Sequence, residues 1–119
     1  MLMKLFQIVV TVILMCVMQA AAYASNFNFL SNSAMSFFTK EDWNISKTAE
    51  IKALNQNQDG VKLVWTNPRT GSHGIFVPTH TFHAHGSVCR DLSIMHTANM
   101  VNEKAIYRYC KLNDQWKIV

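Results

Sequence analysis

Hydrophobic positions take three different spacings along this chain. From Leu5 to Met18 they are nearly continuous, LFQIVVTVILMCVM, interrupted only by Gln7 and Thr11. From Thr39 to about Asn55 they take a helical spacing: Trp43, Lys47, Ile51 and Leu54 share one face, with Ile45, Ala49 and Ala53 broadening it. Thr39 stands as N-cap, and Glu41 and Asp42 place carboxylates at the positive end of the helix dipole. The polar stretch Gln56-Asn57-Gln58-Asp59-Gly60 ends the helix. Beyond it the spacing becomes two: Val61, Leu63 and Trp65 alternate with Lys62, Val64 and Thr66, which predicts a strand with one buried face. The turn Asn67-Pro68-Arg69-Thr70-Gly71 follows, and then a second strand, GIFVP, which is expected to stop at Pro78 because proline donates nothing to a ladder. A last short strand covers Gln115 to Val119, entered through Asn113-Asp114.

The first apolar run has its own meaning. Lys4 precedes it, and QAAAYAS, with Ala22 and Ala24 flanking Tyr23, follows it, so residues 1–24 read as a secretory signal peptide cleaved before Ser25. Cys16 lies inside the run behind the bulky Met15, an unsuitable setting for lipid attachment. Residues 25–38, rich in Asn and Ser, read as a flexible lead-in to a domain at 39–119. Removal of the signal leaves 119 − 24 = 95 residues, one small domain that buries roughly 60 to 65% of its unfolded surface. No transmembrane span remains after such cleavage.

Cysteine count agrees with export. With Cys16 gone, Cys89 and Cys110 remain, an even number that predicts a disulfide in a small exported domain. If Cys89 lies opposite Cys110 in an antiparallel hairpin, paired positions sum to 199. The turn then centres on Asn99 and Met100, Asp91 faces Arg108, and Leu92 faces Tyr107, a self-consistent register of charge and packing pairs. The expected fold class is α+β: an N-terminal helix packed on an antiparallel meander of about four to five strands.

Charge excludes little but narrows the partners. The mature part carries 10 Lys and Arg against 7 Asp and Glu, scattered singly, with no basic stripe, so a nucleic-acid partner is not expected. There is no G-x-S-x-G, no H-E-x-x-H and no Gly-rich phosphate loop, and the sequence predicts no enzyme and no cofactor. The stretch THTFHAHG raises a rival reading, a periplasmic metal-binding protein using His80, His83 and His85. On an extended strand His83 and His85 point to one side and His80 to the other, so only two imidazoles converge where zinc wants three or four ligands. His73 and His96 are fixed nearby by nothing in the sequence. Polar strand residues are therefore the expectation, with His83 and His85 the residual metal candidates.

Spread over residues 39–119 is a longer pattern: Trp65-x-Asn67-Pro68-x-Thr70-Gly71-x-x-Gly74, then Val77-Pro78, Phe82, Gly86-x-x-Cys89-Arg90-Asp91, and Cys110-Lys111-x-x-Asp114-x-Trp116-x-Ile118-Val119. It resembles the C-terminal domain of the 17 kDa surface antigen family of bacterial outer membranes. The resemblance implies a non-catalytic envelope protein, in the periplasm or at the outer membrane or cell surface, with a helix packed on a small antiparallel sheet and a Cys89–Cys110 disulfide. Its partner would be another envelope protein or envelope component. Lys111 stands where the family usually has arginine, Asn113-Asp114-Gln115 replaces its usual Asp-Gly turn, and the family pattern requires none of the histidines.

Overall fold

The computed structural model describes residues 2–13 and 33–119. The signal cleavage motif, Cys16 and residues 25–32 of the expected lead-in lie outside them. Residues 2–13 form a helix, α1, belonging to a unit separate from Ser33–Val119. No helix among the described residues is long and apolar enough to cross a membrane.

The second unit begins with a 3-10 turn at Ala34–Phe37, then helix α2 (Lys40–Gln56) and five strands: β1 (Leu63–Thr66), β2 (His73–Ala84), β3 (Ser87–Ala98), β4 (Val101–Leu112) and β5 (Gln115–Ile118). The strands form one antiparallel meander in the order β1-β2-β3-β4-β5, the expected class. Helix α2 starts in a capping box: the Thr39 hydroxyl accepts from the Asp42 N–H at 3.1 Å while the Asp42 carboxylate accepts from the Thr39 N–H at 2.9 Å.

Three of the strand connections are two-residue turns, His85-Gly86, Asn99-Met100 and Asn113-Asp114, with both residues of each at positive φ. This geometry suits the right-handed twist of the flanking strands. It fixes the β3–β4 register at Cys89↔Cys110, Asp91↔Arg108 and Leu92↔Tyr107, as the sequence predicts, and the disulfide is formed. Closing a loop across 21 positions, it stabilises the domain by about 3 kcal/mol.

Strand β2 does not stop at Pro78. It runs on to Ala84, and the missing proline donor is absorbed by a register shift between Pro78 and His80. The shift reverses which side chains face in. Before it Gly74, Phe76 and Pro78 are buried; after it Thr81 shares the inner face with its partner Arg90, and His80 and Phe82 lie outside.

The core is Trp65, Phe76, Leu92, Ile94 and Tyr109 from the sheet with Leu54, Ala49 and Ala53 from α2, so the sheet supplies most of the bulk and the helix, apart from Leu54, supplies small side chains. For that reason α2 does not bury the face carrying Trp43, Lys47 and Ile51. Its seam is Asp42, Ser46, Ala49 and Ala53 with Leu54, while Trp43 remains 47% exposed. Val61 lies outside β1 and is exposed. The compact unit begins at Ser33, not 39: Ala34 is fully buried, and Phe38 packs edge-on against Trp43, Trp65 and His96, which ties this end of the expected lead-in to the core.

Candidate functional site

Two polar clusters hold α2 at its ends, and Asn67, Thr70, Arg90 and Trp116 of the sequence pattern belong to them. At the N-terminus the Asp42 carboxylate accepts from Asn67 Nδ2 (2.7 Å), Thr70 Oγ1 (2.7 Å) and Ser72 Oγ (3.1 Å), in addition to the Thr39 N–H. Burial alone would raise its pKa, but these hydrogen bonds together outweigh that and hold it below the ordinary 3.8. Pro68 and Gly71, the latter at φ 78°, shape the loop that delivers these donors. At the C-terminus the Arg90 guanidinium, 8% exposed, donates to the carbonyls of Ala53, Leu54 and Asn57, to Asp59 and to Thr81. Trp116 adds a bond from its indole to Asn55 Oδ1 at 2.8 Å. Pro78 is buried.

The histidines do not assemble. His80 stacks on Phe82 at 5.3 Å on the outer face, beside the Asp91–Arg108 ion pair, whose guanidinium also lies 4.7 Å from the Phe82 ring. His83 lies on the strand side opposite His80. His85 is not on the strand at all; it forms the β2–β3 turn at φ 52°, so the expected pairing of His83 with His85 fails. Sequence periodicity missed this because His-Gly is a weak turn signal beside Asn-Gly. Among the described residues no group of three or more His, Cys, Asp or Glu is placed to hold a metal ion.

What the sheet does build is a pocket of about 260 Å³ between α2 and the inner face of β3–β4. Its floor is Ile94, His96, Glu103, Ala105, Tyr107 and Tyr109; Trp43, Ser46, Lys47 and Glu50 form the helical wall, and Met35 and Ile118 close the ends. The pocket exists because the narrow seam of α2 packs on β1 and β2 and leaves the inner side of β3–β4 partly open. Its size exceeds the ~150 Å³ that admits a benzene-sized ligand and falls short of the ~300 Å³ at which drug-sized sites begin. That is room for one side chain or a small molecule.

The polar groups at this site are unusual. Among the described residues, three buried side-chain atoms have no hydrogen-bond partner: Trp65 Nε1, His96 Nδ1 and Glu103 Oε2. All belong to one row across the sheet, Trp65↔Gly74↔His96↔Glu103. Gly74 makes the row possible, since a β-carbon there would overlap Trp65 Nε1 and sit 2.6 Å from the Met95 carbonyl oxygen and 2.8 Å from His96 Nδ1. Nothing in the strand pattern announces this row; only the register assembles it. Burial among Phe38, Trp65 and Phe76 pushes the His96 pKa down to about 4, so the ring is neutral at pH 7. The Tyr109 phenol is pushed up, first by burial and then by the negative charge of Glu50.

No family model, curated protein or solved structure matches this chain. Its site must be read from its own chemistry. An apolar pocket with neutral His96, protonated Tyr109 and an unpaired carboxylate oxygen is equipped to hold a group by packing and hydrogen bonds.

The His96 shift has a measurable sign. Its folded pKa of about 4 lies below the ordinary 6.5, so between those values the unfolded chain takes up a proton that the folded protein refuses. Stability is complete above pH 6.5 and falls toward pH 4, by about 3 kcal/mol at most. Glu103 from β4 and Glu50 and Lys47 from α2 are the charged groups lining the pocket on that side of the ring. Urea unfolding of wild type and His96→Phe at pH 7 and pH 4.5 is expected to show the smaller acid loss in the variant; equal losses would contradict a buried neutral His96.

Proposed function

We propose that this chain is an exported, non-catalytic interaction module of the bacterial cell envelope, which holds a group of its partner in the α2/β3–β4 pocket. The observation that carries this reading is that two side chains lining the pocket, His96 and Glu103, each bury a polar atom without a hydrogen-bond partner. A purely structural face satisfies its buried polar groups internally, whereas a binding face leaves some for a ligand to complete. Two further points support export and envelope residence. The Cys89–Cys110 disulfide suits an oxidising compartment. The residues that resemble the surface antigen pattern, Trp65, Asn67, Pro68, Gly71, Gly74, Pro78, Arg90 and Trp116, take part in the core, the α2 clamps and the polar row.

The test is intact-mass spectrometry and free-thiol labelling of the chain produced with its own leader in a bacterium, followed by cross-linking in the envelope fraction. A mass beginning at Ser25, lighter by about two hydrogens for the disulfide, and a cross-linked envelope partner support the reading. A full-length, reduced chain in the cytoplasm overturns it.

A further inference from the structure

The pocket opens beside a second unused feature. Strand β5 pairs only with Tyr109–Leu112 of the 12-residue β4, and the final backbone bond on that side is the Val119 N–H to the Arg108 carbonyl. Residues 101–107 therefore present a strand edge without a strand partner among the described residues. Such an edge is a template for an added strand. In this segment Glu103, Ala105 and Tyr107 face the pocket, while Ile106 and Lys104 face the outer side. A strand laid along the edge would project alternate side chains over the pocket mouth, beside Glu103.

The pocket selects what such a side chain carries. Glu103 Oε2 is buried and unpaired, Glu50 lies across from it on α2, and among the described residues the one cation in the lining is Lys47, two-thirds exposed and 3.9 Å from Glu50. Trp43, Tyr107 and Tyr109 provide aromatic walls, and Ile94, Ala105 and Ile118 provide apolar surface for a stem. Carboxylates beside aromatic rings favour a cation on an apolar chain. The free volume suits one such side chain.

We propose that the open edge of β4 takes up an extended peptide segment of a partner protein as a sixth strand, and that a lysine or arginine side chain of that segment enters the α2/β3–β4 pocket to pair with Glu103. Backbone pairing supplies register and the basic anchor supplies selectivity. This rests on the interaction-module reading and names the ligand of its pocket.

The experiment titrates the disulfide-bonded chain with a blocked heptapeptide of alternating threonine and valine bearing arginine at its centre. Amide resonances of residues 101–107 and Trp43 fluorescence report the two halves of the contact. Versions with leucine or glutamate at the centre, and n-butylguanidinium alone, serve as comparisons. The arginine peptide is expected to shift the edge amides and Trp43 together, to bind about tenfold or more tightly than the leucine peptide, and to lose that advantage in Glu103→Gln. Equal binding of the arginine and leucine peptides overturns the basic anchor. Binding of n-butylguanidinium as tightly as the peptide, without edge shifts, overturns strand addition. No response to any probe at millimolar concentration overturns the whole proposal, while a cross-linked envelope partner would still leave the interaction-module reading standing.

Discussion

Replacing Asp42 by alanine is expected to remove about 4 kcal/mol of stability. Four donors converge on this carboxylate, the Thr39 N–H and the side chains of Asn67, Thr70 and Ser72, at a residue with no exposed surface. Each buried donor stripped of its acceptor costs about 1–3 kcal/mol, and the hydroxyls recover part of that by rotating to other acceptors. Against the roughly 4–13 kcal/mol that a domain of this size possesses, the loss is large. Asp42→Asn keeps the shape but offers donors where acceptors are needed, and about 2 kcal/mol is expected. Urea unfolding at pH 7 measures both. A pH series separates the charge from the shape. The Asp42 pKa is held below 3.8 in the folded protein, so its contribution is present above 3.8 and fades as pH falls through the folded value. The gap between wild type and Asp42→Asn should narrow in strong acid. A loss under about 1 kcal/mol for Asp42→Ala would show that the β1–β2 loop holds the helix without it.

Asp42 also marks how far the sequence could be read. Its position in the first turn announced a helix start, because capping is a local code. Its role as anchor for Asn67, Thr70 and Ser72 was not legible, since that depends on a loop 25 to 30 positions away. The β3–β4 register followed from two cysteines and a turn, because one fixed pair in an antiparallel ladder sets every other. The course of β2 did not. Proline predicts a stop, whereas a bulge lets the strand continue and turns His80 and Phe82 outward. The helix face differs for a related reason: the spacing groups Trp43, Lys47 and Ile51 with Leu54, but beside a sheet already carrying Trp65, Phe76 and Tyr109 the seam takes Leu54 with the small Ser46, Ala49 and Ala53 and leaves Trp43 and Ile51 exposed. The pocket is the remainder of that mismatch. It holds no sequence motif, because His96, Glu103, Trp43 and Glu50 come from three elements and meet only once the sheet curls under the helix.

At the other end of α2 the expected effect is equally large. Arg90→Met should cost about 3–5 kcal/mol, the range for removing one member of a buried charged network. Methionine can follow the arginine stem through the core, so little packing is lost; what disappears is the guanidinium fork. Its contacts are 2.7 Å to the Leu54 carbonyl, 3.2 Å to Ala53, 2.6 Å to Asn57, 2.9 Å to Asp59 and 2.8 Å to the Thr81 hydroxyl. Helix ends leave carbonyls without partners, and the last turn of α2 contains no basic residue of its own, so Arg90 from β3 supplies both the donors and the charge that opposes the helix dipole. Lysine keeps the charge but not the planar fork, and its ammonium reaches fewer of these acceptors. Arg90→Lys should therefore fall between wild type and Arg90→Met. Hydrogen exchange adds the decisive readout, because the loss is local: amides of Ala53 to Asn57 should open faster in Arg90→Met, while those of β4 change only with global stability. Uniform acceleration across the domain would mean that Arg90 acts through core packing rather than through the helix terminus.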